Sequence, residues 1–451
     1  MTTLRLLSVF VAVALGFVAV AYGGAYLVAS SRSGGSIAPV PLAASDDPAA
    51  ASRPDLPDAD TQIAFWSKRV DGQSGAYIDL SYLGQAFARK ARETSDVGYY
   101  LRAEEALRRT LRVNPGYVQA SASLSTVLFS LHEFADALEV ARPIVDDPRG
   151  LQALATLGDA HLALGEYSKA QTAYNRLLAF GATPAAYSRL AFLADLRGHT
   201  DQALTLMDRA ANLAQESGDY GESLAYYAYQ IGELAFRAGR IDLAESHYRA
   251  ALGLFDDYPL ALGGLAKAKA AQGAYAAAID LYRRATEIVP QPDHLAALGD
   301  VYATLGMEKK AREQYETVEL IGKLARINRQ VYNRQVANFY ADHDLRLGEA
   351  RRLALAELRV RKDVYGYDAA AWASYKTGSY DQAQRLIARA LSLGTRDAKL
   401  YYHAGMIARA QGHTAEARRF LSEALRINPY FDLLQAPRAR TALDEMSKDS
   451  A

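Results

Sequence analysis

The chain has 451 residues, with 51 basic and 51 acidic side chains and no cysteine. This charge balance leaves no net field that would attract nucleic acid, so nucleic acid is not an expected partner. The lack of cysteine excludes disulfides, thiolate metal sites and cysteine nucleophiles.

The first thirty residues contain an apolar run from Leu6 to Ala29 without one charged side chain. At ~1.5 Å per residue, this run is longer than the ~30 Å hydrocarbon core of a bilayer, and it exceeds the ~7–15 apolar residues of a secretory signal. It predicts a transmembrane signal anchor over residues 1–30, a single-pass protein of the cytoplasmic membrane, and repeats on the extracytoplasmic side. The alternative is a cleaved signal peptide ending near residue 30, which would make the protein secreted.

Residues 31–60 are rich in serine, alanine, proline and aspartate and hold few large apolar side chains. Such a segment cannot bury enough apolar surface to offset the entropy lost on ordering. It predicts a flexible linker.

One pattern then returns seven times between residues 61 and 434. A glycine is preceded seven residues earlier by a small residue and followed five residues later by an alanine. These glycines are Gly165, Gly198, Gly239, Gly273, Gly306, Gly378 and Gly412. A left-handed glycine ends a helix at no steric cost, and small residues let two helices cross closely. The pattern therefore predicts helix-turn-helix units. Larger residues nine positions after the glycine, such as Tyr174, are expected to fill the gap to the next pair.

Residues 259–290 and 398–429 show the fullest form of the pattern: small residue, glycine, alanine, aromatic or large residue, alanine, proline. This order resembles the tetratricopeptide repeat, whose units are roughly 34 residues long. The resemblance implies an all-α, right-handed superhelical solenoid of about ten repeats, including weaker units at 77–115, 118–148 and 331–363. A capping helix and tail are expected over 435–451.

The C-terminal part, with "NFYADHDLRLGEA" and "YHAGMIARAQG", also looks similar to membrane-anchored or exported bacterial repeat proteins. That similarity names no substrate.

Catalytic motifs are missing from the sequence: it has no phosphate-binding Gly-rich loop with Lys-Ser/Thr, no HExxH and no Gly-x-Ser-x-Gly. We therefore expect no enzyme, no cofactor and no metal. The densest acid and histidine cluster, Asp342, His343 and Asp344, is interpreted as a polar loop between helices, with a ligand site as the alternative.

In tetratricopeptide repeats the first helix of each unit lines a concave groove. Carried onto this sequence, the resemblance implies the following partner-binding residues: Phe192, Tyr226, Tyr229, Glu233, Phe236, Arg237, Tyr365, Asp368, Trp372, Tyr375, Lys376, Tyr402, Met406 and Arg409. Aromatic and arginine side chains are enriched where proteins dock. The alternative is that some of these rings pack between neighbouring repeats.

The expected function is a non-catalytic, membrane-tethered scaffold that binds a protein or peptide in the groove. A second hypothesis is a cofactor for envelope polysaccharide assembly or export, with aromatic rings stacked on sugars. An enzyme with an unrecognised site is the third.

Overall fold

The computed structural model describes residues 59–72, 76–94, 97–219, 221–327 and 333–448. Within these ranges the regular structure is helical, and no strand occurs. The helices are α1 (Ala59–Gly72), α2 (Tyr77–Thr94), α3 (Val97–Val113), α4 (Val118–Ser130), α5 (Phe134–Ala141), α6 (Leu151–Ala163), α7 (Tyr167–Phe180), α8 (Pro184–Leu196), α9 (Thr200–Glu216), α10 (Glu222–Arg237), α11 (Ile241–Leu254), α12 (Pro259–Ala271), α13 (Tyr275–Ile288), α14 (Pro292–Thr304), α15 (Glu308–Ile327), α16 (Asn333–Asp342), α17 (Leu347–Val360), α18 (Val364–Lys376), α19 (Tyr380–Leu391), α20 (Ala398–Ala410), α21 (Thr414–Ile427) and α22 (Gln435–Lys448).

The predicted localisation as a single-pass protein of the cytoplasmic membrane is wrong for the part of the chain that the structure describes. No helix there is both long and apolar enough to cross a bilayer. The longest, α15, has 20 residues but carries charged side chains along its length, from Glu308 to Lys323. The apolar run from Leu6 to Ala29, and nearly all of the predicted linker, lie outside the described residues.

In chain order, α2 to α21 form ten consecutive helix-turn-helix pairs, with α1 before them and α22 after them. The prediction of an all-α fold of repeated helix pairs is confirmed. All seven glycines of the sequence pattern have positive φ, between 71° and 77°, and each ends the first helix of its pair. His132, with φ of 63°, takes the same place between α4 and α5. The right-handed superhelical form stays a prediction.

The small residue of the first helix packs against the large residue of the second helix. A Cβ atom added to Gly158 would lie 2.4 Å from the ring of Tyr174, and one added to Gly299 would lie 2.3 Å from the ring of Tyr315. Tyr248 is held on both sides, because a Cβ at Gly232 in its own pair or at Gly264 in the next pair would also meet its ring. The sequence pattern predicts that the alanine of the second helix makes this contact within a pair. The tyrosine fills that role as well as the gap to the next pair.

The contacts divide the chain into two units. The first consists of Met1–Leu190 and Arg209–Leu224, and the second of Ala191–Asp208 and Ala225–Ala451. In the first unit a hydrophobic core forms around Leu124, Leu128 and Phe134 of α4 and α5.

The second unit closes on itself through contacts of residues 196–208 and 225–240 with residues 394–428, which we call the seam. A Cβ atom at Gly198 would lie 2.4 Å from the carbonyl oxygen of Gly394, and one at Gly239 would lie 2.5 Å from that of Ile427. The Asn428 side chain donates a hydrogen bond of 2.7 Å to the carbonyl oxygen of Phe236. Backbone therefore meets backbone at the seam, so no side chain larger than hydrogen fits at these glycines.

The tyrosine-on-glycine packing can be tested with Gly299→Ala. We expect this variant to lose about 1–3 kcal/mol of unfolding free energy in urea denaturation, because the new methyl group overlaps the Tyr315 ring. Gly348→Ala in α17 is the matched control, since nothing lies within 4 Å of its added Cβ. Alanine there should be neutral or stabilising by up to about 1 kcal/mol. Equal stability of the two variants would contradict this packing.

Candidate partner-binding site

Acidic residues at the centre of the repeats bind the tyrosines that pack on glycine. Asp159, Glu233 and Asp300 each directly follow the small residue of a first helix. Each accepts a hydrogen bond from the tyrosine hydroxyl fifteen residues later: Tyr174 at 2.9 Å, Tyr248 at 2.6 Å and Tyr315 at 2.8 Å. The acid therefore ties the two helices of one pair together.

A basic side chain from a later repeat completes each of these contacts. Arg189 donates to both oxygens of Asp159, at 2.9 Å and 2.8 Å, and Lys267 lies 2.8 Å from Glu233. The Nε2 atom of His343 lies 2.7 Å from Asp300. These carboxylates consequently link successive repeats. Burial opposes ionisation of Glu233, but Lys267 and Arg237 hold its pKa below the usual range.

The first predicted aromatic cluster is largely packed. Tyr226 and Phe236 are each 4% exposed. The ring of Tyr229 lies 6.0 Å from that of Tyr258, and the Lys267 ammonium lies 4.4 Å above the ring of Phe236. Packing between repeats, the alternative considered for these rings, describes Phe236, and Tyr226 is buried beside Tyr227 of its own helix.

The second predicted cluster is centred on Trp372, which is 1% exposed. Its indole stacks on the rings of His403 and Tyr375, with ring centroids 4.2 Å and 4.9 Å apart. The indole N–H donates a hydrogen bond of 2.7 Å to Asp342. Trp372 is therefore a core residue of the second unit, and its expected exposure in the groove is corrected.

The remaining predicted residues are engaged in similar ways. Tyr402 is 1% exposed. Asp368 lies 2.8 Å from Nδ1 of His403, and Arg409 pairs with Glu445 at 2.7 Å. Five of the fourteen residues are buried: Tyr226, Phe236, Asp368, Trp372 and Tyr402. The other nine are half-buried: Phe192, Tyr229, Glu233, Arg237, Tyr365, Tyr375, Lys376, Met406 and Arg409. All fourteen belong to the second unit.

The C-terminal segment, residues 428–435, lies across these first helices. Phe431 packs against Tyr402 with ring centroids 5.7 Å apart, and the Asp432 carboxylate lies 3.5 Å from the Lys399 ammonium. Gln435 donates a hydrogen bond of 2.6 Å to Asp342. The sequence predicts a capping role for residues 435–451, whereas the contacts of residues 428–434 were not predicted. The sequence feature that could have indicated these contacts is the run "NPYFDLL", in which aromatic side chains follow a proline.

An open cleft of about 770 Å³ lies beside this segment. One wall comes from the repeats and the other from the C-terminal segment. The repeats contribute Phe236, Lys267, Tyr275, Tyr282 and Asp300, the C-terminal segment contributes Tyr430, Phe431, Asp432 and Leu433, and α22 contributes Arg440. Tyr430 is 50% exposed, so the rim of the cleft presents an aromatic ring to solvent.

The acid and histidine cluster at 342–344 does not converge on one point. Asp342 binds Lys399 at 2.8 Å, His343 binds Asp300, and Asp344 pairs with Lys376. In the described part of the chain no group of three or more histidine and acidic side chains could hold a metal ion. The interpretation as a polar linking segment accounts for all three side chains.

Three family models of the tetratricopeptide repeat match the chain, one at residues 88–150 and 229–293, one at 398–431 and one at 151–179. No curated protein sequence matches it.

Three solved structures illustrate the structural similarity. A chain of the APC/C hetero-tetramer Cut9-Hcn1 is 15% identical over 86% of this chain and 93% of that chain, with a TM-score of 0.33. PilW, a widely conserved type IV pilus biogenesis factor, is 18% identical over 46% and 93%, with a TM-score of 0.39. A tetratricopeptide repeat protein from Parabacteroides merdae is 16% identical over 58% and 98%, with a TM-score of 0.33. At these TM-scores none of the three bears on the function of this chain.

Trp372→Ala tests the structural role of the indole. We expect a loss of about 3–5 kcal/mol of unfolding free energy, because the substitution empties a packed aromatic site. Tyr380→Ala serves as the control, since Tyr380 is 40% exposed and its removal should change stability by about 0.5 kcal/mol or less. If Trp372→Ala were as stable as the control, the indole would not be a core residue, and its prediction as a groove residue would stand.

His294 should make the second unit sensitive to acid. It lies against Gly263 of α12, where burial and the nearby Lys267 lower its pKa from 6.5 to about 4. The folded state therefore disfavours the proton that the unfolded state accepts below about pH 6.5, and stability is lost as the pH falls from there toward 4.

Denaturation of the wild type and of His294→Gln at about pH 7 and about pH 5 checks this expectation. The wild type should lose more stability between the two pH values than the variant does. The raised pKa of His343 beside Asp300 contributes equally in both proteins and cancels in the comparison. Equal losses would contradict the assignment to His294.

Proposed function

This chain belongs to the tetratricopeptide-repeat family, and we propose that it is a non-catalytic scaffold whose second unit binds a segment of another protein in the 770 Å³ cleft. The cleft is the single observation that carries the proposal. Its volume lies in the range of about 300–1,000 Å³ that is usual for binding sites. Its tyrosine and phenylalanine rings and its arginine are residue types that are enriched at protein interfaces.

The nine half-buried residues identified from the family resemblance do not line this cleft, so their contact with a partner stays a prediction separate from the cleft. The five buried residues support the site by packing. Phe236 belongs to this second group although it lines the cleft, because Lys267 covers its ring. The exposed contact on the opposite wall is Tyr430.

We propose no catalytic step, because Asp300 and Asp432, two of the three carboxylates of the cleft, are already engaged. One oxygen of Asp300 accepts the hydroxyl hydrogen of Tyr315 and lies against His343. Asp432 accepts the backbone N–H groups of Leu434 and Gln435, each at 2.9 Å. Carboxylates with these partners act as fixed links between helices.

The polysaccharide hypothesis receives less support. A sugar stacks on an exposed aromatic face. The indole of Trp372 is 1% exposed and rests on two other rings, so it offers no such face. The cleft presents tyrosine and phenylalanine rings together with both signs of charge, which favours a peptide ligand.

Photo-cross-linking tests the proposal. The full chain carries p-benzoylphenylalanine in place of Tyr430, and cross-linked peptides are identified by mass spectrometry. We expect cross-links to one segment of one partner. The yield should fall several-fold when Tyr275 on the opposite wall is changed to alanine, because interface aromatics contribute about 2 kcal/mol or more.

The control places the same cross-linker at Phe180, which is 51% exposed in the first unit. That position should not capture the segment found at residue 430. Identical captures at the two positions, or a yield independent of Tyr275, would overturn the assignment of the cleft as the binding site.

A further inference from the structure

A second cleft, of about 520 Å³, lies at the seam of the second unit. Three arginines from separate parts of the chain line it: Arg240 just before α11, Arg396 just before α20, and Arg426 in α21. The first comes from one side of the seam and the other two from the opposite side. The cleft therefore collects positive charge from residues that are far apart in sequence.

These arginines differ in how they are neutralised. Arg240 pairs with Asp201, which is the single carboxylate among the residues lining this cleft. Arg426 pairs with Glu423 of its own helix at 2.6 Å, and the two side chains are 61% and 26% exposed. Exposed pairs of this kind are weak, so Arg426 can exchange its partner for a better one. Arg396 makes no hydrogen bond or salt bridge within the described part of the chain.

The aliphatic stem of Arg396 crosses the seam beside this cleft. Its Cγ atom would lie 3.1 Å from a Cβ atom added to Gly198, so the arginine stem lies against the opposite side of the seam. The lining holds three arginines and one aspartate, and Glu423 beside the lining pairs with Arg426 and also interacts with Arg396, so one positive charge is left uncompensated. A phosphate group carries about −1.5 to −2 charges at neutral pH.

We propose that this cleft binds a phosphate group, which bridges Arg396 and Arg426 on one side of the seam to Arg240 on the other. Guanidinium groups bind phosphate through paired N–H···O bonds, and arginine is the side chain best suited to such contacts. This site goes beyond the proposed function, because it shares no lining residue with the 770 Å³ cleft. Its test does not depend on whether a peptide binds in that cleft.

The phosphate has two possible sources, a free phosphate compound or a phosphorylated side chain of a partner. The full chain is therefore titrated by calorimetry with inorganic phosphate and, separately, with a short phosphoserine peptide and its unphosphorylated form. Thermal unfolding is recorded in potassium phosphate and in potassium chloride at equal ionic strength. We expect saturable binding and a rise in melting temperature in phosphate.

Arg396→Gln is the deciding variant, and Arg419→Gln is its control. Arg396 and Arg419 are both exposed, and Arg419 lies on α21 with 69% of its side chain accessible, outside the cleft lining. Arg396→Gln should fold normally without phosphate but bind it about tenfold more weakly, a loss that corresponds to removing one charged hydrogen-bonding group. Arg419→Gln should bind like the wild type.

Each outcome decides the proposal. Wild-type affinity in Arg396→Gln, or equal weakening in both variants, overturns it, because binding would then depend on diffuse surface charge. Failure of the wild type to bind either probe overturns it as well. Binding of inorganic phosphate alone supports the site with a free anion as its ligand, and tighter binding of the phosphopeptide than of its unphosphorylated form supports it with a modified partner as the source.

Discussion

The packing of a tyrosine ring on a glycine, with the tyrosine hydroxyl bound to the acid next to that glycine, joins the two helices in three of the ten pairs. The glycine removes the bulk that would keep two helices apart, and the ring occupies the space. Buried hydroxyl groups need a partner, and the acid supplies it within the same helix pair. The charge of that acid is in turn met by a basic side chain from a later repeat. One small contact thus fixes both the crossing of two helices and the register of successive pairs.

The sequence predicted the helix pairs well because their signals are local. A positive-φ glycine, a small residue seven positions earlier and an alanine five positions later all act within one pair, so their spacing is visible in the chain. The tyrosine–acid link was equally visible, as a Gly-Asp or Gly-Glu pair with tyrosine sixteen residues after the glycine, at Gly158, Gly232 and Gly299. It was overlooked because the alanine was expected to make the close contact.

The candidate site was less predictable, because it depends on contacts between distant residues. Family positions identified Trp372 and Tyr402 as groove residues but gave no information on what covers them. Trp372 is covered by His403 and Tyr375, while Tyr402 meets Phe431 of the C-terminal segment. The periodicity of a repeat describes its own helices and its nearest neighbours. The C-terminal segment contacts several repeats, but no periodic pattern in the sequence indicates these contacts. The second wall of the cleft could therefore be found only from the structure.

Closure of the second unit restricts how this protein can change its length. An open array gains or loses repeats by duplication or deletion at modest cost, since each unit touches only its neighbours. Here Gly198 and Gly239 must meet the carbonyl groups of Gly394 and Ile427, so one added or missing unit between them would bring the wrong residues together. The number of repeats between residues 198 and 427 is therefore locked by geometry, and variation in repeat number should be confined to the first unit.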